Sequence, residues 1–266
     1  MEDLDRVTAS VEHEQRQLDD LAAMGIRSDV PVVRQSDRFD RYRAAIDHLR
    51  NAGLVYECFC TRREIQAAAT APHGRAPDGA YPGTCRVLSD DDRRAYVAQG
   101  RRPALRLRTD GERVVVNDRF AGRVDGIVDD VVLARADGVP AYNLAVVVDD
   151  AAQGVTQVVR GDDLLSSTPR QIHLQQLLGL PTPEYAHVPL VVGPTGERLA
   201  KRDGAVTLRD LGDRGVSPVT VRDALAGSLG LNPGEGDDPV AHWATQWRPE
   251  RQSTGAWLVD RFGLPT

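Results

Sequence analysis

Apolar positions recur with a helical period at the start of the chain. Val7, Val11, Leu18, Leu21 and Met24 fall on one face of a helix, and Gly25 stands where a left-handed residue would end it. A second amphipathic helix is predicted from Ser36 or Asp37 to Gly53, with Phe39, Tyr42, Ile46 and Leu49 inward. Leu54–Cys60 reads as a short strand. Thr61-Arg62-Arg63-Glu64 is a capping box that opens a short helix. From about Thr70 to Gly83 the pattern lapses into a loop rich in Pro, Gly and Ala, and another short helix is predicted from Ser89. Between Ala104 and Val139 the spacing of Leu105, Leu107, Val114, Val116, Val128, Val132 and Leu133 predicts several short strands with a turn at Asp137-Gly138.

At Ala141 the pattern changes again. Leu144–Val148 is an unbroken apolar run, as expected of a parallel strand covered on both faces, and Val155–Val159 is a second. A helix is predicted next, with Thr168 as N-cap, Pro169 as its first residue and Gln171 closing a capping box, ending near Gly179. Tyr185–Val192 returns as a strand. This is a strand–helix–strand unit of an open α/β sheet, where ligands gather at the carboxyl ends of the strands. A further helix is predicted from Ser217 and Pro218 to Gly230. The tail, which holds Trp243, Trp247 and Trp257, reads as helical and packed.

Composition narrows the class. A chain of 266 residues can bury a real core, and 41% hydrophobic with 27% charged residues is ordinary for a globular protein. A net charge of −6 argues against a protein that merely coats nucleic acid. The acidic start Met1-Glu2-Asp3-Leu4-Asp5 is no signal peptide, and no apolar run is long enough to span a bilayer, so a cytoplasmic, membrane-free protein is expected.

Three groups of residues carry candidate chemistry. The chain's three cysteines, Cys58, Cys60 and Cys85, flank the apolar-poor loop, and thiolates at this spacing suit a structural zinc ion better than a disulfide framework. A fourth ligand could be His73 or Tyr81, and general zinc chemistry favours histidine. Three buried free thiols are the alternative. The second group is Tyr142, Asp149, Asp150 and Arg160, polar groups expected at the ends of apolar strands, where an open α/β sheet builds its site. Arg160 offers a bidentate fork for a carboxylate, Tyr142 a hydroxyl, and the two aspartates could hold an ammonium or a ribose. They could equally be loop caps, with Arg160 pairing to Asp162 or Asp163. The third is Lys201, the only lysine among 33 lysines and arginines, on a Gly-flanked segment where a compact ammonium could meet a phosphate.

Five motifs then fall in order: Glu2-Asp3-Leu4-Asp5; Tyr142-Asn143-Leu144 through Asp149-Asp150; Arg160-Gly161-Asp162-Asp163-Leu164-Leu165 with Thr168-Pro169-Arg170-Gln171; Tyr185-Ala186-His187-Val188-Pro189-Leu190; and Arg198-Leu199-Ala200-Lys201-Arg202. Over about residues 1 to 210 the chain resembles the class I glutamyl-tRNA synthetases, and most of all their short paralogues, the glutamyl-Q tRNA(Asp) synthetases. The resemblance implies a Rossmann-like parallel sheet over residues 1–56 and 140–210, an inserted zinc-containing α+β module over 57–139, and a short helical C-terminal region over 211–266. It implies glutamate, ATP with Mg²⁺, and tRNA(Asp) carrying queuosine as substrates, and a monomer.

Residue by residue, Glu2, Tyr142 and Arg160 would hold glutamate, with Arg160 on its side-chain carboxylate and Glu2 on its ammonium. Lys201 would stabilise the leaving pyrophosphate at the ATP site. Cys58, Cys60, Tyr81 and Cys85 would bind Zn²⁺, which favours Tyr81 over His73. Two departures stand out. Ala200 replaces the usual serine of the lysine loop, and Arg198 its first lysine. The family's opening strand and Pro-Ser-Pro-Thr-Gly…His-x-Gly segment does not precede Glu2, so the sheet is expected to be incomplete at its N-terminal side. A non-catalytic zinc- or tRNA-binding remnant, or a fragment of an ordinary glutamyl-tRNA synthetase, are the competing readings.

Overall fold

The computed structural model describes the chain apart from residues 6–8, 70–80, 194–195, 197–206, 232–237, 249–254 and 259–266. Val7, His73, Arg198, Ala200 and Lys201 therefore lie outside the described residues. The order is α1 (Val11–Ala23), α2 (Phe39–Asn51), β1 (Val55–Cys58), α3 (Arg62–Ala69), α4 (Asp90–Ala98), β2 (Ala104–Leu107), β3 (Arg113–Asp118), β4 (Gly122–Ile127), β5 (Val132–Ala134), α5 (Tyr142–Gln153), β6 (Gln157–Gly161), α6 (Thr168–Leu178), β7 (Glu184–Val188), β8 (Val191–Val192), α7 (Leu208–Gly212), α8 (Pro218–Ser228), α9 (Pro239–Gln246) and β9 (Trp257–Leu258).

Local chemistry sets many of these boundaries. Ser89 caps α4 in a reciprocal box with Asp92, Thr61 and Glu64 do the same for α3, and Ser217 caps α8 with Pro218 at its first turn. The Asp137-Gly138 turn closes as expected, with Arg135 N–H bonded to Val139 C=O at 2.9 Å.

The strands form a mixed arrangement, not one parallel sheet. β1, β2 and β5 make an antiparallel three-stranded sheet in the order β1-β2-β5. A four-stranded sheet runs β4-β3-β7-β6. Within it β6, β7 and β3 are parallel, while the hairpin partner β4 is antiparallel. Strands from both sides of residue 140 thus share one sheet. The β6–α6–β7 unit matches the expected strand–helix–strand.

The apolar run Leu144–Val148 is not a strand; it is the heart of helix α5. A short apolar run is ambiguous between a buried strand and a buried helix, and here the flanks decide. Helical geometry continues through Asp149, Asp150 and Gln153 to Gly154, whose φ of 68° provides a left-handed stop. Leu144, Ala145 and Val147 pack against Tyr42, Ile46 and Leu49 of α2 and Leu107 and Leu133 of the three-stranded sheet. The tail is also not wholly helical. Trp243 lies in α9, but Trp257 belongs to β9, which runs parallel to β8. Among the described residues no helix is long and apolar enough to cross a membrane.

The second core packs Ile172 of α6 against Val114 and Val116 of β3, Val128 and Tyr185. Here α6 meets β4 without room to spare. A Cβ added at Gly126 would sit 2.1 Å from Cγ and 2.8 Å from Cβ of Pro169, far inside contact distance with a ring that cannot turn away. Gly126→Ala is therefore expected to lower unfolding free energy by ~1–3 kcal/mol, the usual range for overpacking. Urea denaturation reads this directly, and an unchanged midpoint would show that the helix and hairpin are not locked here.

Candidate active site and metal centre

Glu2 is placed by the strap that carries it. Gln35 N–H bonds to Met1 C=O at 3.1 Å, and the Asp3 carboxylate accepts from Ser36 N–H at 2.8 Å and Ser36 Oγ–H at 2.5 Å. Burial alone would raise the Asp3 carboxyl, but these Ser36 bonds outweigh it and hold the group below its usual range. Glu2, on the same strap, lines a cavity of about 760 Å³ together with Tyr142. Cys60, Arg62 and Arg106 line it as well, so one space touches Glu2, Tyr142 and the cysteine cluster, while Arg160 lies outside its lining.

Arg160 sits in β6 directly across from His187 of β7. Its Nε donates to His187 Nε2 at 3.1 Å. Its Nη2 donates to Thr168 Oγ1 at 2.9 Å and to Gln171 Oε1 at 2.8 Å, while Gln171 Nε2 donates to Asn143 Oδ1 at 3.1 Å. The guanidinium also lies over the Tyr185 ring, 5.5 Å from its centroid. This corrects the expected capping scheme. Ser167 occupies the N-cap position of α6 without a side-chain cap bond, and Thr168 and Gln171 turn their polar atoms to Arg160 instead.

Tyr142, Asp150, Glu2 and Arg160 share one electrostatic neighbourhood. Burial pushes the Tyr142 phenol above its ordinary value and the Glu2 charge adds to this, while the charge of Arg160 and a hydrogen bond from it act in the opposite sense. Asp150 is pushed up to about 6, mainly by burial, with Asp149 and Glu2 reinforcing and Arg160 opposing. The structure thus brings Glu2, Tyr142 and Arg160 together. Asp149 faces elsewhere: it is buried, accepts from Tyr42 Oη–H at 2.7 Å and pairs with Arg38 Nε at 2.9 Å. Sequence reasoning gave His187 no role beyond its motif and passed over Asp118, although both touch the Arg160 network. The Tyr185-Ala186-His187 motif was the available signal for the first; nothing in the sequence marked the second.

The three cysteines converge. The sulfurs of Cys58, Cys60 and Cys85 all lie within 4.8 Å of one another, with 3.4 Å between Cys60 and Cys85. Tyr81 closes the fourth side, its Oη 3.3 Å from Cys58 Sγ and 3.5 Å from Cys60 Sγ. These separations suit a tetrahedral zinc, whose ligands stand about 2.0–2.3 Å from the ion. Burial pushes the Cys60 thiol up to about 12 and raises the Tyr81 phenol, so neither group would ionise here without a nearby cation. The Arg106 guanidinium lies 3.8 Å from the centroid of the Tyr81 ring and holds it in place.

Asp150 makes one pH effect predictable. The folded carboxyl keeps its proton to higher pH than the unfolded chain does. Its contribution to stability is therefore undiminished below about pH 4, falls as pH rises to about 6, and stays low above that. Asp150→Asn should lose this decline, so that the variant gains on the parent across this window in denaturant titrations. Parallel pH courses for the two proteins would remove the assignment.

The sequence matches the family model of the class I tRNA synthetase catalytic domain for glutamate and glutamine over residues 1–261. A glutamyl-Q tRNA(Asp) synthetase of Nocardia farcinica is 60% identical over 99% of this chain and 82% of its own length. One from Symbiobacterium thermophilum is 46% identical, over 87% and 75%. A glutamate–tRNA ligase of Halorhodospira halophila is 41% identical over 88% of this chain and 50% of the ligase. A solved glutamate–tRNA ligase of Elizabethkingia meningosepticum, in complex with its amino acid, shares the fold with a TM-score of 0.74 at 22% identity. That match covers 97% of this chain and 59% of the ligase. From its ordered motifs, its fold and these matches, the chain belongs to the class I tRNA synthetase family of glutamate and glutamine enzymes.

Proposed function

We propose that the chain activates glutamate with ATP and transfers the glutamyl group to queuosine in the anticodon of tRNA(Asp). The observation that carries this is the convergence of Glu2, Tyr142 and a rigidly held Arg160. With Nε and Nη2 committed to His187, Thr168 and Gln171, the plane of the Arg160 guanidinium is fixed, as recognition of a carboxylate requires. Arg160 takes the side-chain carboxylate of glutamate, Glu2 its ammonium, and Tyr142 closes the site. The glutamate α-carboxylate attacks the α-phosphorus of ATP, with Mg²⁺, expelling pyrophosphate and forming glutamyl-adenylate. A queuosine hydroxyl then attacks the acyl carbon and AMP leaves. Lys201, outside the described residues, neutralises the pyrophosphate as its bond to the α-phosphorus lengthens. The identity levels support the queuosine substrate: 60% and 46% to the named glutamyl-Q synthetases against 41% to a glutamate–tRNA ligase.

Zinc completes this reading as a structural ion. Cys58, Cys60, Cys85 and Tyr81 hold it, and it ties β1 to the segment around Cys85. The enzyme works in the cytoplasm as a monomer.

Glutamate-dependent ATP–pyrophosphate exchange tests the activation step, and exchange indifferent to glutamate would sink it. Labelled glutamate should pass to tRNA(Asp) with queuosine and not to the same tRNA with guanosine in that place. Arg160→Ala is expected to raise the KM for glutamate about 10- to 100-fold, as for loss of a charge-assisted hydrogen bond. Lys201→Ala should lower kcat for exchange with little effect on that KM. For the metal, Cys85→Ser should cost the protein its stoichiometric zinc by elemental analysis, and full retention would contradict the ligand set.

A further inference from the structure

A second pair of residues stands behind Arg160. The side chains of His187 and Asp118 are both 0% exposed, and His187 Nδ1 lies 2.6 Å from Asp118 Oδ2. Asp118 ends β3 and His187 lies in β7, and the two strands meet in parallel through Asp118 and Tyr185. The Asp118 carboxylate also accepts from His187 N–H at 3.1 Å, Phe120 N–H at 3.0 Å and Ala121 N–H at 2.9 Å. Burial would raise this carboxyl, yet the bonds from Ala121, His187 and Phe120 hold it below its usual range. It is an anchored, ionised acceptor.

A guanidinium can only donate. His187 Nε2, 3.1 Å from Arg160 Nε, must therefore accept, and the ring hydrogen resides on Nδ1 facing Asp118. The hydrogen-bond acceptors of Arg160, which are His187 Nε2, Thr168 Oγ1 and Gln171 Oε1, include no carboxylate. They orient the fork without cancelling its charge. The same logic fixes metal-bound histidines, where a carboxylate on the far ring nitrogen sets the tautomer.

We propose that Asp118 and His187 are positioning residues: Asp118 fixes the His187 tautomer, and His187 in turn fixes the guanidinium of Arg160 for the substrate carboxylate. The assignment rests on the proposed role of Arg160 in binding glutamate. It adds two buried residues that never touch the substrate.

Asp118→Asn tests it with little change of shape. The amide oxygen can still accept from Phe120 and Ala121, but its NH₂ meets Nδ1 and drives the ring hydrogen to Nε2, where it opposes the Arg160 Nε–H. Two measurements are needed. The Arg160 Nε–H resonance in ¹H–¹⁵N spectra, assigned by its loss in Arg160→Lys, should shift or vanish. The KM for glutamate in exchange should rise about tenfold, with the KM for ATP unchanged. Adding His187→Gln should bring both back toward the parent, because a glutamine carbonyl can accept from Arg160 whatever Asp118 offers. A purely structural role predicts equal losses for both substrates and no rescue. An unmoved Arg160 resonance with an unchanged glutamate KM overturns the proposal. A shifted resonance in a protein whose parent shows no glutamate-dependent exchange upholds the positioning and overturns the functional reading. If Asp118→Asn does not fold, His187→Leu against His187→Gln probes the same acceptor. The resonance should be lost in the first and present in the second, and loss in both overturns the proposal.

Discussion

The buried Asp149 carboxylate determines where helix α5 points. An ionised group shut away from water is tolerated only when it is paired and hydrogen-bonded. Asp149 meets that condition through Arg38 on one side and Tyr42 on the other. Burial and this neighbour together push the Tyr42 phenol well above its usual value, so it stays a donor. The pairing fixes the roll of α5 about its own axis. Consecutive helical residues point about 100° apart, so holding Asp149 toward α2 turns Asp150 toward Arg160. The same roll brings Tyr142, in the first turn of α5, to the cavity that Glu2 lines. A charge that never meets a ligand thus orients the groups that would.

What could be read from the sequence follows from how far each interaction reaches. Caps are local: Ser89 with Asp92, Thr61 with Glu64 and Ser217 with Thr220 each close within three residues, and all three were legible. The βαβ unit was legible too, because β6, α6 and β7 follow one another. The composition of the run Leu144–Val148 suits burial in either geometry, and only the continuation to Gly154 identifies a helix. Thr168 and Gln171 fit the local pattern of a cap in the sequence. A guanidinium eight residues upstream supplied the stronger partner. Asp118 lies far from both His187 and Arg160 in the chain, and no periodicity links them. The family motifs brought Glu2, Tyr142 and Arg160 onto one list, but the reasons Arg160 stands still became visible only in three dimensions.

The cavity gives the cysteine cluster a second significance. Cys60 belongs both to the cluster and to the wall of the space that Glu2 and Tyr142 line, and Arg106 bridges the two by stacking on Tyr81. Tyr81 is itself tied in at its backbone, through Asp129 at 3.1 Å, and Asp129 also pairs with Arg170 of α6. A disturbance at the thiols would therefore reach the cavity wall directly and α6 through two intermediaries, Tyr81 and Asp129.

The contact between Gly126 and Pro169 has a consequence for descent. A bare backbone at one position and a rigid ring at the other occupy each other's space, so neither can drift alone. Position 126 is free to acquire a side chain only in a lineage where position 169 has first become smaller, and a proline can return to 169 only where 126 is still glycine. Substitutions at these two sites should be historically ordered, leaving a correlated pair in the genealogy of the fold even though neither residue takes part in chemistry.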